Sequence, residues 1–251
     1  MKLNIQKLKP KKGKDYAEVL FCGDVHLGHP QCQWDKFISN VNYCVEHGIY
    51  FLGMGDMVEA TLKDSLGDVY TQKYTPQEQV DMIIDALMPL AKKKLLIGMH
   101  LGNHELRIMR NTSLDVSKII SKSLNVNYLG YACWTLLRVG DMNYKVYSTH
   151  GSAGSVLPHT KLKAAIDQSF YHDADLVAYA HVHDLITHSI KREYVDLRNK
   201  TVKEEKKYIV ITGHYLDYHD SYAEIKGYPP SKTGSPKVKF FSKKKDIHVS
   251  I

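Results

Sequence analysis

The chain has 251 residues, 43% apolar and 24% charged, with 34 Lys and Arg against 27 Asp and Glu for a formal charge of +7. That length can bury a substantial core in one large domain or two small ones, with the balance of a soluble globular protein. No window approaches the roughly 18 uninterrupted apolar residues of a membrane helix, and the basic opening "MKLNIQKLKPKKGKDY" lacks the apolar centre of a secretory signal.

The expected location is therefore the cytoplasm, with no membrane partner. Cys22, Cys32, Cys44 and Cys133 are scattered without a C-x-x-C pair, which offers neither a disulfide framework nor a thiolate metal site. Lysines crowd into "KLKPKKGK" and "SKKKD" near the two ends. A polyanionic partner and a merely solvated face fit them equally well.

In chain order, "AEVLFCG" (17–23) reads as a buried parallel strand, and "WDKFISNVNYCVEHG" (34–48) has helical spacing and a closing Gly. "IYFLGMG" (49–55) is a second buried strand. "TPQEQVDMIIDALMPLAKKK" (75–94) predicts a helix opened by Thr-Pro and interrupted or ended near Pro89. "KLLIGMHLG" (94–102) is a third strand. This β-α-β-α-β order predicts an α/β domain with a mainly parallel sheet.

The second half predicts a hairpin around Gly140-Asp141, a helix at 161–170, a buried strand at 173–184 and a β-meander with Asn199-Lys200 in a turn. The stretch from Val58 to Tyr74 is less regular and suits a surface cap or substrate loop. A single domain is expected over 1–251. Its motif-bearing core is 17–215, preceded by a basic segment (1–16) and succeeded by an irregular one (216–251).

The residues just beyond each strand are the informative ones. Asp24 and His26 come after the first, Asp56 after the second, and Asn103 and His104 after the third. His150 comes after "YKVYST", and His181 and His183 after "LVAYA". In open α/β sheets ligands bind beyond the carboxyl ends of strands, so these loops should converge. Asp, His and Asn offer the oxygen and nitrogen donors that suit manganese, iron or zinc. Seven donors with one shared carboxylate suffice for two ions about 3.5–4 Å apart, a spacing that can activate a water for attack at phosphorus.

Each residue has a plainer reading. A lone Asp after a strand is commonly a turn or cap residue, and "AHVH" could be an edge strand with both imidazoles on one face. Five strand ends carrying metal-compatible donors make that coincidence a poor explanation.

D-x-H, G-D, G-N-H-E, a strand-end His and a closing x-H-x-H stand here as "GDVH", Gly55-Asp56, "GNHE" (102–105), "THG" (149–151) and "AHVH" (180–183). In that order the set resembles the calcineurin-like metallophosphoesterases, and the small size is similar to phage and bacterial members. One departure is Ala180, where the family usually has Gly.

The resemblance implies a four-layer α/β/β/α sandwich with a dinuclear metal centre. One ion would be held by Asp24, His26, Asp56 and His183, the other by Asp56, Asn103, His150 and His181. His104 would be the general acid. Manganese is the first choice of metal, with iron, zinc, nickel and magnesium as alternatives.

Glu105 would orient His104 or a neighbour. Arg107 suits a phosphate or an exposed helix face, and His29 the substrate or a turn before Pro30. His214 lies just after another strand and could line the cleft. "GSAGS" (151–155) could bring backbone amides to a phosphate, whereas "GYPPSKTGSP" (227–236) reads as a turn-rich tail that packs.

The expected function is hydrolysis of a phosphate ester by metal-activated water. The basic charge and 17 tyrosines favour a nucleic acid or nucleotide substrate. Glu105, where the family's nucleases usually carry Asp, pulls toward a protein or small-molecule phosphomonoesterase. A non-catalytic scaffold of the same fold is the reading from another class, and completeness of the ligand set counts against it. A basic binding module without catalysis leaves the strand-end histidines unexplained.

Overall fold

The computed structural model describes residues 3–63, 69–152, 154 and 156–251. A strand, β1 (Leu3–Leu8), occupies the segment expected to be a basic tail. Asn4 and Leu8 point inward while Leu3, Ile5 and Lys7 face out, so its period of two is diluted by polar residues that hide it from a search for apolar runs.

β2 (Tyr16–Cys22), α1 (Trp34–His47), β3 (Tyr50–Gly53), α2 (Pro76–Lys92) and β4 (Leu96–His100) keep to the expected alternation. α2 opens with a capping box between Thr75 and Glu78. It ends at Lys92, within the expected 75–94, and Pro89 does not interrupt it. The ring costs the helix one hydrogen bond, to the Asp85 carbonyl, while Leu87 and Leu90 stay buried on either side of it and hold the last turn on the core.

α3 (Asn103–Thr112) and α4 (Val116–Ser123) lead to β5 (Asn127–Gly130). β6 (Ala132–Val139) and β7 (Met142–Thr149) form the Gly140-Asp141 hairpin, and α5 (Pro158–Tyr171) brackets the expected helix. β8 (Leu176–Tyr179) is far shorter than the run 173–184 suggested.

β9 (Leu185–Asp196) and β10 (Thr201–Thr212) make one long hairpin rather than a meander. After α6 (Tyr222–Ile225), the segment expected to be irregular carries β11 (Lys237–Phe241) and β12 (Ile247–Ser250). Lysines alternate there with Val238 and Phe240, both fully buried, so a composition typical of a tail conceals a strand.

The first sheet runs β12-β11-β2-β3-β4-β5, parallel from β2 to β5; the second runs β1-β6-β7-β8-β10-β9. Three apolar layers hold the stack. Phe37, Val41, Ile83, Leu87 and Ile120 of α1, α2 and α4 pack on the outer face of the first sheet. Phe21, Leu52, Met54 and Ile97 meet Leu137, Tyr144, Val146, Leu176 and Val210 between the sheets. Ala165 of α5 meets Val177 and Ile209 on the outer face of the second. The architecture is therefore the four-layer α/β/β/α sandwich. Each fully buried Leu, Ile or Phe contributes roughly 1.5–3 kcal/mol, so the middle layer fixes how the two sets of strand ends meet. Among the described residues no helix is long and apolar enough to cross a membrane.

One polar residue keys the two sheets together. His100, at the end of β4, is buried; its Nδ1–H donates to the Gly130 carbonyl (2.8 Å), which leaves Nε2 to accept from the Ser148 hydroxyl on β7 (2.8 Å). Burial pushes its pKa down from 6.5 to about 4. Between those values the unfolded chain binds a proton that the folded chain refuses, so this share of stability is intact above pH 6.5 and is lost as pH falls toward 4. In urea unfolding of metal-free protein, the wild type should lose about 2 kcal/mol more than His100→Gln between pH 7.5 and pH 5.

Candidate metal centre

Five loops at the carboxyl ends of β2, β3, β4, β7 and β8 deliver the singled-out donors to one place. Asp24, His26, Asp56 and His150 are buried; Asn103, His104, His181 and His183 are partly so. The backbone bends sharply to do this. Asp24, His26, Asp56, His181 and His183 all have left-handed conformations, with φ between 49° and 72°. Such a residue costs about 1–3 kcal/mol and persists where its surroundings over-determine it.

Those surroundings are visible. The Asp24 amide donates to the Gly55 carbonyl, those of Val25 and His26 to the Asp56 carbonyl, and that of His181 to Asp24 Oδ2. His181 and His183 thus belong to a tight turn, not to an edge strand with one shared face.

Two groups of donors result. In the first, His183 Nε2 lies 3.3 Å from Asp24 Oδ1 and 3.0 Å from His26 Nε2. In the second, Asn103 Oδ1 lies 2.8 Å from His150 Nε2 and 2.7 Å from His181 Nδ1, and Asp56 Oδ2 lies 3.2 Å from His150 Nε2. Asp56 Oδ2 is also 3.9 Å from His26 Nε2, which places it between the groups.

The Asp24–His26–His183 and Asp56–His150–His181 donor atoms each fall within 4.8 Å of one another. Asp24 Oδ1 and Asp56 Oδ2 are buried without a hydrogen-bond partner, while the other oxygen of each accepts a backbone N–H. A bare buried carboxylate oxygen is costly unless a cation meets it. The residues fit a pair of divalent ions.

Electrostatics agree with that fit at His26 and His181, while at His150 a proton held by Asp56 takes the place of a cation's charge. Burial holds the His26 and His181 pKa values down, which keeps their imidazoles neutral with a lone pair to offer. Burial opposes charge on Asp56 as well. There the adjacent His150 and His104 prevail and hold it well below the usual carboxylate range, and Asp56 in turn brings His150 up to about 10 against its burial.

The surrounding residues correct several expectations. Glu105 does not touch the His104 ring. Its Oε2 accepts from the amides of Asp56 (3.0 Å) and Gly102 (3.0 Å), and Oε1 from Met57 (2.7 Å) and Val58 (3.3 Å), so it laces the β3 loop to the β4 loop. Burial, then the Asp56 charge, pushes its carboxyl up to about 7 against the pull of those donors.

Gly102 is extended, at φ −98° and ψ 177°, a conformation open to any residue. It is glycine because a Cβ would sit 2.2 Å from Asp56 N and Oδ1. Arg107 is half-buried rather than exposed, and its Nη2 donates to the Glu59 carbonyl (3.2 Å) beside His104 Nδ1 (2.6 Å). His29 is a turn residue: its amide donates to the His26 carbonyl and its Nδ1 accepts from the Gln31 amide.

In "GSAGS", Ala153 and Ser155 lie outside the described residues, and the Gly151 and Ser152 amides donate to Thr149 Oγ1 and Tyr179 Oη, not to open space. His214 stacks on His183, with ring centroids 5.3 Å apart and planes at 12°, and burial together with the His183 charge lowers its pKa to about 3. Burial pushes the Cys22, Cys32 and Cys44 thiols up to about 12, which leaves them inert.

Glu59 is the functional residue that sequence reasoning missed. Its Oε2 accepts from His26 Nδ1 (2.8 Å) and lies 3.5 Å from His104 Nδ1, which also meets the Glu59 carbonyl (2.8 Å). The sequence carries a signal for it: an acid three residues after Asp56, at the start of the stretch that suits a surface cap or substrate loop. That stretch lies partly outside the described residues (64–68); in its described part Gln79 and Gln72 accept from the Ala60 and Thr61 amides and hold the Glu59 loop in place.

No protein-family model and no curated protein matches the chain. Solved structures do resemble it. A metallophosphoesterase from Sphaerobacter thermophilus aligns over 93% of this chain and 86% of its own at 15% identity, with a TM-score of 0.43. A conserved uncharacterized protein described as a predicted phosphoesterase, from Streptococcus pneumoniae TIGR4, aligns over 93% and 88% at 11% identity (TM-score 0.41). Vacuolar Protein Sorting 29 from Cryptosporidium parvum aligns over 94% and 98% at 16% identity (TM-score 0.42). At these values the likeness is one of general arrangement, and the site stands on its own geometry.

Glu105→Gln tests the lacing. An amide presents one acceptor atom where the carboxylate presents two, so two buried N–H groups would face an NH₂. Unfolding free energy should fall by about 2–4 kcal/mol in urea, and Mn²⁺ should raise the melting temperature less than in the wild type.

Proposed function

We propose that the protein is a dinuclear-metal-dependent phosphoesterase. The observation that carries this reading is the pair of bare buried oxygens, Asp24 Oδ1 and Asp56 Oδ2, facing converging imidazole nitrogens. Asp24, His26, Asp56 and His183 would hold one ion, and Asp56, Asn103, His150 and His181 the other. The mixed nitrogen and oxygen donors make manganese the first candidate. Two divalent ions there would supply Lewis acidity toward phosphoryl oxygens and a water of lowered pKa.

The chain's own residues supply the rest. His104 stands beside the site with its Nδ1 on the Glu59 carbonyl and its Nε2 4.0 Å from Asp56 Oδ2, so Nε2 can deliver a proton to a leaving oxygen. Burial opposes a proton on this ring, yet the Asp56 and Glu59 charges raise its pKa above the ordinary value.

The basic charge of +7 supports a nucleic acid or nucleotide phosphodiester as substrate, ahead of a protein or small-molecule phosphomonoester. A scaffold without catalysis would have no use for two bare carboxylates and a keyed imidazole in one pocket of charge.

Purified protein should hydrolyse bis-p-nitrophenyl phosphate or p-nitrophenyl phosphate with Mn²⁺ and lose that activity in EDTA. Asp56→Asn should abolish both turnover and the Mn²⁺-induced rise in melting temperature. His104→Ala should keep the rise and lose about 10²–10⁴-fold in rate on alkyl esters, with a far smaller loss on p-nitrophenyl esters, whose leaving group needs little protonation. Absence of turnover with every divalent metal, in protein that binds none, would sink the proposal. A panel of monoesters, cyclic nucleotides, DNA, RNA and phosphopeptides decides the substrate class.

A further inference from the structure

The candidate ligand imidazoles are not held alike. His26 and His150 are keyed through the second ring nitrogen, His26 Nδ1 by Glu59 Oε2 (2.8 Å) and His150 Nδ1 by the Met54 carbonyl (2.9 Å). Such outer contacts fix the tautomer and the plane of a ligand ring. His183 has no such hydrogen bond among the described residues, and its side chain is 35% exposed. It also sits in a left-handed turn, so apart from the Nε2 edge that meets Asp24 Oδ1 (3.3 Å), neither a regular backbone nor a contact of its second ring nitrogen sets its direction.

The group that faces it is His214, whose ring lies parallel to it (5.3 Å, 12°). His214 is itself fixed at both nitrogens. The Leu216 amide donates to Nδ1 (3.2 Å), which places the ring proton on Nε2, and Nε2–H donates to Ser231 Oγ (2.7 Å). Ser231 Oγ–H then donates to the His183 carbonyl (2.8 Å). The chain of hydrogen bonds therefore has one sense, from Leu216 through His214 and Ser231 back to the backbone of the residue on which His214 stacks. The amide of Gly234 donates to the His214 carbonyl (2.8 Å), which holds the Ser231 segment against this loop.

We infer that His214 and Ser231 are positioning residues for His183, one holding the plane of its ring and the other its backbone, and that they set the affinity of the ion position built from Asp24, His26 and His183. The inference rests on the metal-centre reading above. It assigns a task to His214 and to the turn-rich segment 227–236, which that reading leaves unused.

The test is titration of the full chain with Mn²⁺ alone, read by calorimetry and by the electron paramagnetic resonance signal of a coupled ion pair. The wild type should bind two equivalents. His214→Ala and Ser231→Ala should each weaken one equivalent by about 10- to 100-fold and replace the coupled signal by that of a single ion, with the other equivalent unchanged. His214→Phe, which restores a flat ring, and Ser231→Thr, which restores the hydroxyl, should recover most of the loss. Should His214→Ala fail to fold in EDTA, Ser231→Ala at its half-buried position carries the same test.

Two wild-type equivalents in both alanine variants, or an equal loss at both positions, would overturn the inference while leaving the metal centre intact. A wild type that binds no Mn²⁺ would overturn the metal centre and this inference together.

Discussion

Two carboxylates withdrawn from water at the ends of β2 and β3, Asp24 and Asp56, organise the molecule around them, because whatever surrounds them must supply the charge and the donors that water no longer does. Asp24 and Asp56 each give one oxygen to a backbone amide and leave the other bare among imidazoles. A carboxylate taken out of water is costly unless opposite charge stands beside it, and here, among the described residues, only imidazole rings do so. Left-handed backbone at five of the donor positions adds to that cost. The surrounding design is best understood as the means that keep this arrangement from relaxing.

Three devices do so. Glu105 collects four amides from two loops, so that Asp56 and Asn103 cannot drift apart. Gly102 lets the β4 loop come against Asp56 more closely than any side chain would permit. The middle apolar layer, keyed by His100 between β4 and β7, fixes the second sheet relative to the first, which is what brings His150, His181 and His183 to the loops of β2, β3 and β4. Each acts on a different scale, and loss of any one loosens the same few atoms.

The uneven support of the His150 and His183 rings also stems from the architecture. Residues under the middle of the sandwich, such as His150, find backbone carbonyls to hold them. His183, at the rim, has only His214 and the C-terminal segment to lean on. A segment whose composition reads as an irregular tail thus becomes part of the wall of the site, and its β11 extends the first sheet beside β2.

The alternating core from β2 to β4, the hairpin of β6 and β7 and the candidate donors are legible in the residues alone, because buried parallel strands are unbroken apolar runs and the polar residues after them stand out. The sequence could not show β1, where Asn4 and Gln6 break up the apolar run, or β11, where lysines alternate with inward residues, nor that α2 continues through Pro89 without a break. Folding alone brings Glu59 against His26, sets Glu105 on backbone amides rather than on His104, and stacks His214 on His183. Those are contacts between residues from 31 to 49 positions apart, made by side chains whose types are equally at home on a surface. Residue type and spacing specify what a strand delivers; which neighbour it meets depends on how two sheets are pressed together.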